Sequence, residues 1–144
     1  MDLMEKTNED GNLPLVSIVT ACLDSHAYLD ETIDSVAKQT YPNIEYIVID
    51  GGSSDGTVEI ISKNENAISR WISEPDNGQS DGLCKGFAMA KGEIFGWINS
   101  DDKYPPDAVQ IAMSAMMDGN ADVVYGNRML INSRGNRVGE RRLS

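Results

Sequence analysis

The stretch that decides the fold reads Tyr46-Ile47-Val48-Ile49-Asp50-Gly51-Gly52-Ser53-Ser54-Asp55-Gly56-Thr57. An aromatic residue and three β-branched residues run consecutively into an acidic, glycine-rich loop, and helical periodicity begins after it. A strand that is apolar at consecutive positions is covered on both faces, which is typical of a parallel sheet. Asp55 is a plausible N-cap for a helix over residues 57–64. The stretch therefore predicts one strand–loop–helix unit of an α/β protein.

The same pattern recurs on either side of this stretch. Between the apolar runs lie segments with apolar residues at helical spacing, for example Leu29, Ile33 and Val36. This alternation predicts an α/β fold with a mostly parallel sheet flanked by helices. A turn at residues 133–136 predicts a hairpin over residues 129–138. The further apolar runs that we interpret as strands lie at residues 15–21, 68–72, 94–98 and 123–125.

Composition excludes several classes of protein. Among 144 residues, 23 acids face 12 bases, so the net charge of −11 argues against a nucleic-acid partner. No apolar stretch is long enough to span a membrane, and the polar, acidic residues 1–12 do not resemble a signal peptide. Two cysteines provide no disulfide framework. We expect a cytoplasmic location, with the inner face of the membrane as the alternative.

The five arginines within residues 128–144 are set against a single acid, Glu140. One interpretation is a solvated basic tail. The other is a contact with phosphate or with an anionic membrane surface, which would make the protein a peripheral membrane protein. An unpaired sheet edge in this region would also favour a homo-oligomer.

Carboxylates follow each of the first four predicted strands. In a parallel α/β sheet ligands bind beyond the carboxyl ends of the strands, so these loops should meet at one edge. A cluster of carboxylates of this kind is typical of a binding site for Mg²⁺ or Mn²⁺, which prefer oxygen ligands. A P-loop is excluded because Thr57 stands where lysine is required. A Ser-His-Asp triad is not credible, because His26 is the only histidine.

Six ordered motifs lie at residues 15–20, 31–36, 39–43, 46–57, 78–81 and 99–102. They resemble those of glycosyltransferase family 2, and the resemblance extends over residues 15–127. It implies a GT-A fold, in which a Rossmann-like nucleotide-sugar-binding half precedes an acceptor-binding half. It also implies transfer of a sugar, with inversion, from a nucleoside-diphosphate sugar to an acceptor hydroxyl, with UDP as the favoured nucleotide and a saccharide, lipid or protein as the acceptor.

The resemblance also implies roles for individual residues. Thr20 should border the nucleobase pocket, and Asp50 lies in the base-recognition loop. Asp81 should face the donor sugar or the ribose. Asp101 and Asp102 match the metal motif, with Asp102 as the direct ligand of Mn²⁺ or Mg²⁺. The metal would act as a Lewis acid that stabilises charge on the leaving diphosphate.

This chain departs from the family pattern at several positions. Gly51 stands where the family often has a second aspartate, so a nucleobase contact is predicted to be lost. Leu23 replaces an aromatic residue and Cys84 an asparagine. These departures leave the identity of the base open.

The chain ends soon after the metal motif, and we expect the general base to lie beyond Ser144. The sequence therefore predicts the donor-binding part of such an enzyme, truncated before the acceptor-binding half. Its predicted parts are a polar tail (1–13), a nucleotide-sugar-binding α/β domain (14–128), and the start of the acceptor-side region or a ragged basic tail (129–144). The alternative is a non-catalytic nucleotide-sugar-binding module or an inactive remnant.

Overall fold

The structure is a computed structural model that describes residues 12–143. These residues form two compact units, one up to Gln110 and the other from Ile111 onward. In chain order the elements are β1 (Val16–Cys22), α1 (Leu29–Ala37), β2 (Ile44–Asp50), α2 (Thr57–Lys63), a 3₁₀ helix (Glu65–Ala67), β3 (Arg70–Ser73), α3 (Gln79–Met89), β4 (Ile94–Trp97), α4 (Ala108–Gly119), β5 (Arg128–Ile131) and β6 (Arg137–Arg141).

The first unit contains a four-stranded sheet in the order β3-β2-β1-β4, and all of its neighbouring strands are parallel. This confirms the α/β fold with a parallel sheet and flanking helices. Four of the five predicted strands are present with small shifts of their ends. The strand order reverses direction between β1 and β4, because β2 and β3 lie on one side of β1 and β4 on the other. A reversal of this kind opens a crevice at the carboxyl ends of the strands.

The core forms where the central strands meet α3. Val19 of β1 and Ile47 and Ile49 of β2 are fully buried, and Leu83 and Phe87 of α3 pack against them. Full burial of one such side chain contributes about 1.5–3 kcal/mol. The consecutive apolar residues of β1 and β2 thus match strands at the centre of a covered sheet.

Glycine lets α3 approach the sheet closely. A Cβ atom added to Gly86 would lie 2.3 Å from Cγ1 of Val19. No side chain can occupy that space unless the helix moves away from β1. The end of α3 that precedes this contact is therefore held directly over the carboxyl ends of the strands.

The start of α2 differs slightly from the prediction. Gly56, with a positive φ of 98°, occupies the N-cap position, and Asp55 lies one residue earlier. The predicted N-cap is therefore wrong by one position. Asp55 still accepts a hydrogen bond from the backbone N–H of Thr57 at 3.0 Å. A glycine is needed at the cap because the chain enters the helix through a left-handed conformation.

The second unit contains the hairpin of β5 and β6, which confirms the hairpin predicted over residues 129–138. Oδ1 of Asn132 accepts hydrogen bonds from the backbone N–H groups of Arg134 and Asn136, and Gly135 has a positive φ. The boundary predicted after residue 128 falls within β5, which begins at Arg128, and it stays a prediction. None of the helices within residues 12–143 combines the length and the apolar character needed to cross a membrane.

The strand predicted at residues 123–125 is wrong. The segment carries no strand, and Val123 and Tyr125 are 77% and 67% exposed. Three apolar residues between Asp122 and Gly126 have strand-like composition, but a strand also requires a neighbour to accept and donate its backbone hydrogen bonds. No described strand pairs with this segment.

Candidate functional site

A cavity of about 580 Å³ lies at the carboxyl ends of the parallel strands. Its volume falls in the range of small-molecule sites. Three loops contribute to its wall, and they follow β1, β3 and β4. The lining residues, which come from these loops, the end of β1 and the start of α3, are Ala21, Cys22, Leu23, Asp24, Ser25, Ala27, Tyr28, Asp76, Gly78, Gln79, Asn99, Ser100 and Asp101.

Asp50 lies at the end of β2 and has no exposed surface. Its Oδ2 accepts hydrogen bonds from the backbone N–H groups of Gly52 and Ser53 and from the hydroxyl of Ser73, at 2.7–3.1 Å. Its Oδ1 accepts from the hydroxyl of Ser53 and, at 3.8 Å, from the thiol of Cys22. Burial acts to raise the pKa of Asp50, but these hydrogen bonds outweigh burial and hold the pKa below its ordinary value of 3.8. Asp50 therefore organises the loop that follows β2.

Thr20 is buried behind the cavity rather than in its wall. Its hydroxyl donates to the carbonyl of Ile98 at 2.9 Å and lies 2.9 Å from the hydroxyl of Tyr46. The next residues along β1 and its loop, beginning with Ala21, form the wall. The role predicted for Thr20 at the nucleobase stays a prediction, and the structure brings its neighbours rather than Thr20 itself to the cavity.

Asp81 lies in the first turn of α3 and outside the cavity lining. Its Oδ2 accepts a hydrogen bond from the backbone N–H of Asn77 at 3.0 Å and lies 3.7 Å from the ammonium of Lys85. In these contacts Asp81 closes the loop between β3 and α3. Its predicted contact with sugar or ribose stays a prediction.

Asp101 and Asp102 follow β4, and both are exposed. Asp101 lines the cavity, whereas Asp102 does not. Oδ2 of Asp102 accepts a hydrogen bond from the amide of Asn99 at 3.0 Å, and Oδ1 of Asn99 accepts one from the amide of Gln79 at 2.8 Å. The side-chain amide of Asn99 thus links the start of α3 to the predicted metal motif.

Hydroxyl groups tie the loops around the cavity together. The hydroxyls of Ser25 and Ser100 lie 2.8 Å apart and join the loop after β1 to the loop after β4. Asp24, at a positive φ of 46°, accepts a hydrogen bond from the backbone N–H of Ser54 at 2.9 Å. These contacts join the loop after β1 to the loops after β2 and β4, so the chain itself fixes this part of the cavity wall.

The donor set after β4 fits a hard divalent cation, because it consists of exposed carboxylate oxygens. Within residues 12–143 no group of three or more His, Cys, Asp or Glu side chains converges on a common point. The pattern therefore differs from a cage made of protein ligands alone. It matches the way Mg²⁺ is often held, by one or two carboxylates together with water and substrate phosphates.

Two side chains of the cavity wall that the sequence motifs did not indicate are an aromatic ring and a carboxylate. Tyr28 is an exposed aromatic side chain in the wall. It supplies an aromatic ring to the same cavity in which Leu23 replaces the aromatic residue of the family. Asp76, between β3 and α3, is a carboxylate in the wall. Its position three residues after the end of β3 is a signal for Asp76, whereas the motif at residues 78–81 indicated Asp81.

Comparison with solved structures shows the same fold in glycosyltransferases. S. aureus TarS (residues 1–349), in complex with UDP-GlcNAc, superposes with a TM-score of 0.69 at 24% identity, over 75% of this chain and 32% of that one. The Pyrobaculum calidifontis mannosyltransferase PcManGT, in complex with GDP-Man and Mn²⁺, gives 0.67 at 22% identity, over 84% and 36%. These neighbours confirm the GT-A-like arrangement of a parallel sheet with flanking helices.

Sequence relatives carry the same assignment. An uncharacterized glycosyltransferase of Rickettsia felis is 34% identical over 85% of this chain and 21% of its own length. An uncharacterized glycosyltransferase of Mycobacterium tuberculosis is 39% identical over 72% of this chain and 40% of its own length. The chain thus spans well under half the length of these relatives. Residues 17–143 match the family described as glycosyl transferase family 2. The chain belongs to this family.

Proposed function

We propose that this chain binds the nucleoside-diphosphate sugar of a glycosyl transfer reaction in the cavity after β1, β3 and β4, with a UDP-sugar as the favoured donor. The observation that carries the proposal is the position of Asp101 in the wall of a 580 Å³ cavity at the point where the strand order reverses. The neighbours crystallised with UDP-GlcNAc and with GDP-Man support a nucleotide-sugar as the ligand class.

We assign Asp101 and Asp102 to a bound Mn²⁺ or Mg²⁺. When bound, the metal would neutralise charge on the diphosphate. Asn99 occupies one carboxylate oxygen of Asp102, while Asp101 lines the cavity. The family resemblance favours Asp102 as the direct ligand, whereas the cavity lining favours Asp101. The variants described below separate these two assignments.

For the whole enzyme we propose transfer of the sugar to an acceptor hydroxyl of a saccharide, lipid or protein, with inversion. The residues described here would bind and orient the donor. The cytoplasmic location, the membrane contact and the self-association expected from the sequence stay predictions.

The proposal is tested by the melting temperature in the presence of UDP, GDP and dTDP, each with Mn²⁺ and with EDTA. A ligand that binds only the folded chain adds about 2.7 kcal/mol to the free energy of unfolding at 100 times its Kd. We expect one nucleotide to raise the melting temperature in Mn²⁺ and to lose that effect in EDTA. A chain that melts cooperatively but responds to none of the three contradicts the proposal.

Variants test the metal assignment by calorimetry. We expect Asp101→Ala and Asp102→Ala to weaken metal-dependent nucleotide binding, with the larger loss at the direct ligand. Asp34→Ala is the matched control, because Asp34 is an exposed carboxylate of α1 that pairs with Lys38. If both cavity variants bind nucleotide and Mn²⁺ as the wild type does, the metal lies elsewhere.

A further inference from the structure

The side chain of Asp76 occupies space that belongs geometrically to position 51. A Cβ atom added to Gly51 would lie 2.8 Å from Oδ2 and 3.0 Å from Oδ1 of Asp76. Real Cβ atoms essentially never show the shorter distance, so a side chain at position 51 would require the carboxylate of Asp76 to move. Gly51 does not have a positive φ, so its backbone does not itself require glycine. The carboxylate of Asp76 therefore fills the place where a side chain at position 51 would stand.

A second glycine accommodates the same carboxylate from the helix side. A Cβ atom added to Gly82 of α3 would lie 3.2 Å from Oδ2 of Asp76 and 2.9 Å from Cβ of Ala21. The end of β2 and the first turn of α3 both lack side chains where Asp76 lies. This is a fitted position, and its occupant lines the cavity.

Asp76 also retains a free acceptor in this position. Its Oδ1 accepts a hydrogen bond from the backbone N–H of Gly78 at 2.8 Å, which orients the carboxylate. In the part of the chain that the structure describes, Oδ2 accepts no hydrogen bond. Because Oδ1 is held by Gly78, Oδ2 is available to accept a hydrogen bond from a donor group of the ligand.

The position within the sheet indicates which part of the ligand Asp76 meets. Gly51 follows β2, whereas Asp101 follows β4, and β1 lies between these strands. Two strand spacings separate the two strand ends by roughly 10 Å. A carboxylate also repels phosphate. A donor whose diphosphate lies near Asp101 would therefore present its uncharged, nucleoside end to Asp76.

We propose that Asp76 is a specificity-determining residue that accepts a hydrogen bond from a ring N–H of the donor nucleobase, such as N3–H of uracil or N1–H of guanine. This inference rests on the proposed binding of a nucleoside diphosphate in the cavity. Because Gly51 replaces an aspartate, the sequence predicted that a carboxylate contact with the nucleobase is lost. The inference assigns that contact to Asp76.

The test compares a nucleotide with its analogue methylated on the ring nitrogen. Whichever of UDP and GDP binds the wild type more tightly in Mn²⁺ is paired with 3-methyl-UDP or 1-methyl-GDP. A hydrogen bond to a charged acceptor is worth about 10- to 100-fold in affinity. We expect the wild type to prefer the unmethylated nucleotide by that factor and Asp76→Ala to lose most of the preference. Glu74→Gln, two positions before Asp76 in the chain and outside the cavity lining, should keep the preference.

A double variant moves the carboxylate to the neighbouring position. Gly51→Asp alone should weaken binding, because the new side chain collides with Asp76. In Gly51→Asp combined with Asp76→Ala the space is vacated, and we expect the preference for the ring N–H to return at least in part. Melting curves of each variant separate loss of folding from loss of recognition.

The possible results distinguish failure of this inference from failure of the proposed function. If the wild type binds a nucleotide but Asp76→Ala discriminates against the methylated analogue as the wild type does, the inference is wrong and the proposed function stands. If Asp76→Ala instead loses discrimination only against the 2′-deoxy nucleotide, Asp76 contacts the ribose and the base assignment is overturned. If the wild type binds no nucleotide, the proposed function fails and this inference fails with it.

Discussion

At the scale of single residues, Asp50 shows how a carboxylate can be buried beside a ligand cavity. Five hydrogen bonds from the chain itself surround it, two of them from backbone N–H groups. A buried charge is tolerated only when such partners are present. Asp50 thereby connects the end of β2 to the loop after it and to Ser73 at the end of β3.

We expect Asp50→Asn to lower the free energy of unfolding by about 2–4 kcal/mol at neutral pH. The side-chain NH₂ of asparagine would face groups that donate hydrogen bonds to Asp50, and those groups would then have no acceptor. Urea denaturation of the wild type, of Asp50→Asn and of the exposed Asp34→Asn control measures the effect. A variant at position 50 as stable as the control would show that the network contributes nothing.

The same residue predicts a pH dependence of stability. The pKa of Asp50 is lower in the folded state than the ordinary value of 3.8, so the unfolded chain binds the proton more readily. Its stabilising contribution is complete above pH 3.8 and is lost as the pH falls through the folded-state pKa. The difference in stability between the wild type and Asp50→Asn should therefore shrink below pH 3.8. A constant difference down to pH 2 would contradict this account.

Single residues were the least predictable part of the site. The sequence indicated that the four loops lie at one edge, because every parallel strand ends there, but the loop after β2 contributes no residue to the cavity wall. It did not show that Thr20 faces inward, since a strand buried on both faces gives no pattern that separates the two. It also did not show that Asp76 lies against Gly51, because that contact depends on how closely α3 approaches the sheet.

At the scale of elements, the contact between α3 and β1 depends on Gly86. Alanine at this position would gain about 1 kcal/mol of helix propensity. Its Cβ atom, however, would lie 2.3 Å from Val19, inside the core. We expect Gly86→Ala to destabilise the protein by about 1–3 kcal/mol through overpacking. Because α3 begins at the cavity, nucleotide affinity should fall as well.

Gly119 provides the matched control for this prediction. It is the last residue of α4, and a Cβ atom there would meet nothing within 4 Å. Gly119→Ala should leave the free energy of unfolding unchanged or raise it slightly. Denaturant curves of both variants make the comparison. Equal effects of the two substitutions would mean that helix propensity, rather than the contact with Val19, decides the outcome.

The elements themselves were largely predictable. Apolar runs located the four parallel strands, and turn residues located the hairpin. The strand predicted at residues 123–125 failed because composition reports only the preference of a segment. Whether a strand forms also depends on a partner, and a partner is a property of the fold rather than of three residues.

At the scale of the whole molecule, the two units should differ in their resistance to local opening. β1 and β2 are paired on both sides and buried, whereas nearly every residue of the β5–β6 hairpin is exposed. An isolated two-stranded hairpin is marginally stable in water. Hydrogen exchange followed by mass spectrometry should show the slowest exchange in β1 and β2 and fast exchange in the hairpin. Equal protection of both would contradict this ranking.

The fold class and the family were predictable from the sequence because both rest on many weak signals in a consistent order. Alternating strands and helices indicated the class, and ordered motifs indicated glycosyltransferase family 2. The substrate was not predictable to the same degree, because it depends on a few side chains in one cavity. The chain also spans only part of its relatives' length.

The buried hydrogen bond from Thr20 to Ile98 joins residues that are 78 positions apart. Ribosomes add about 5–20 residues per second, so β1 waits roughly 4–16 s for the strand that covers its second edge. During synthesis this apolar strand is protected on one side only, by β2. Neighbouring nascent chains on the same messenger present the same unpaired edge, which is a template for pairing between copies. The parallel sheet that creates the cavity thus gives the growing chain an interval in which it is prone to aggregation.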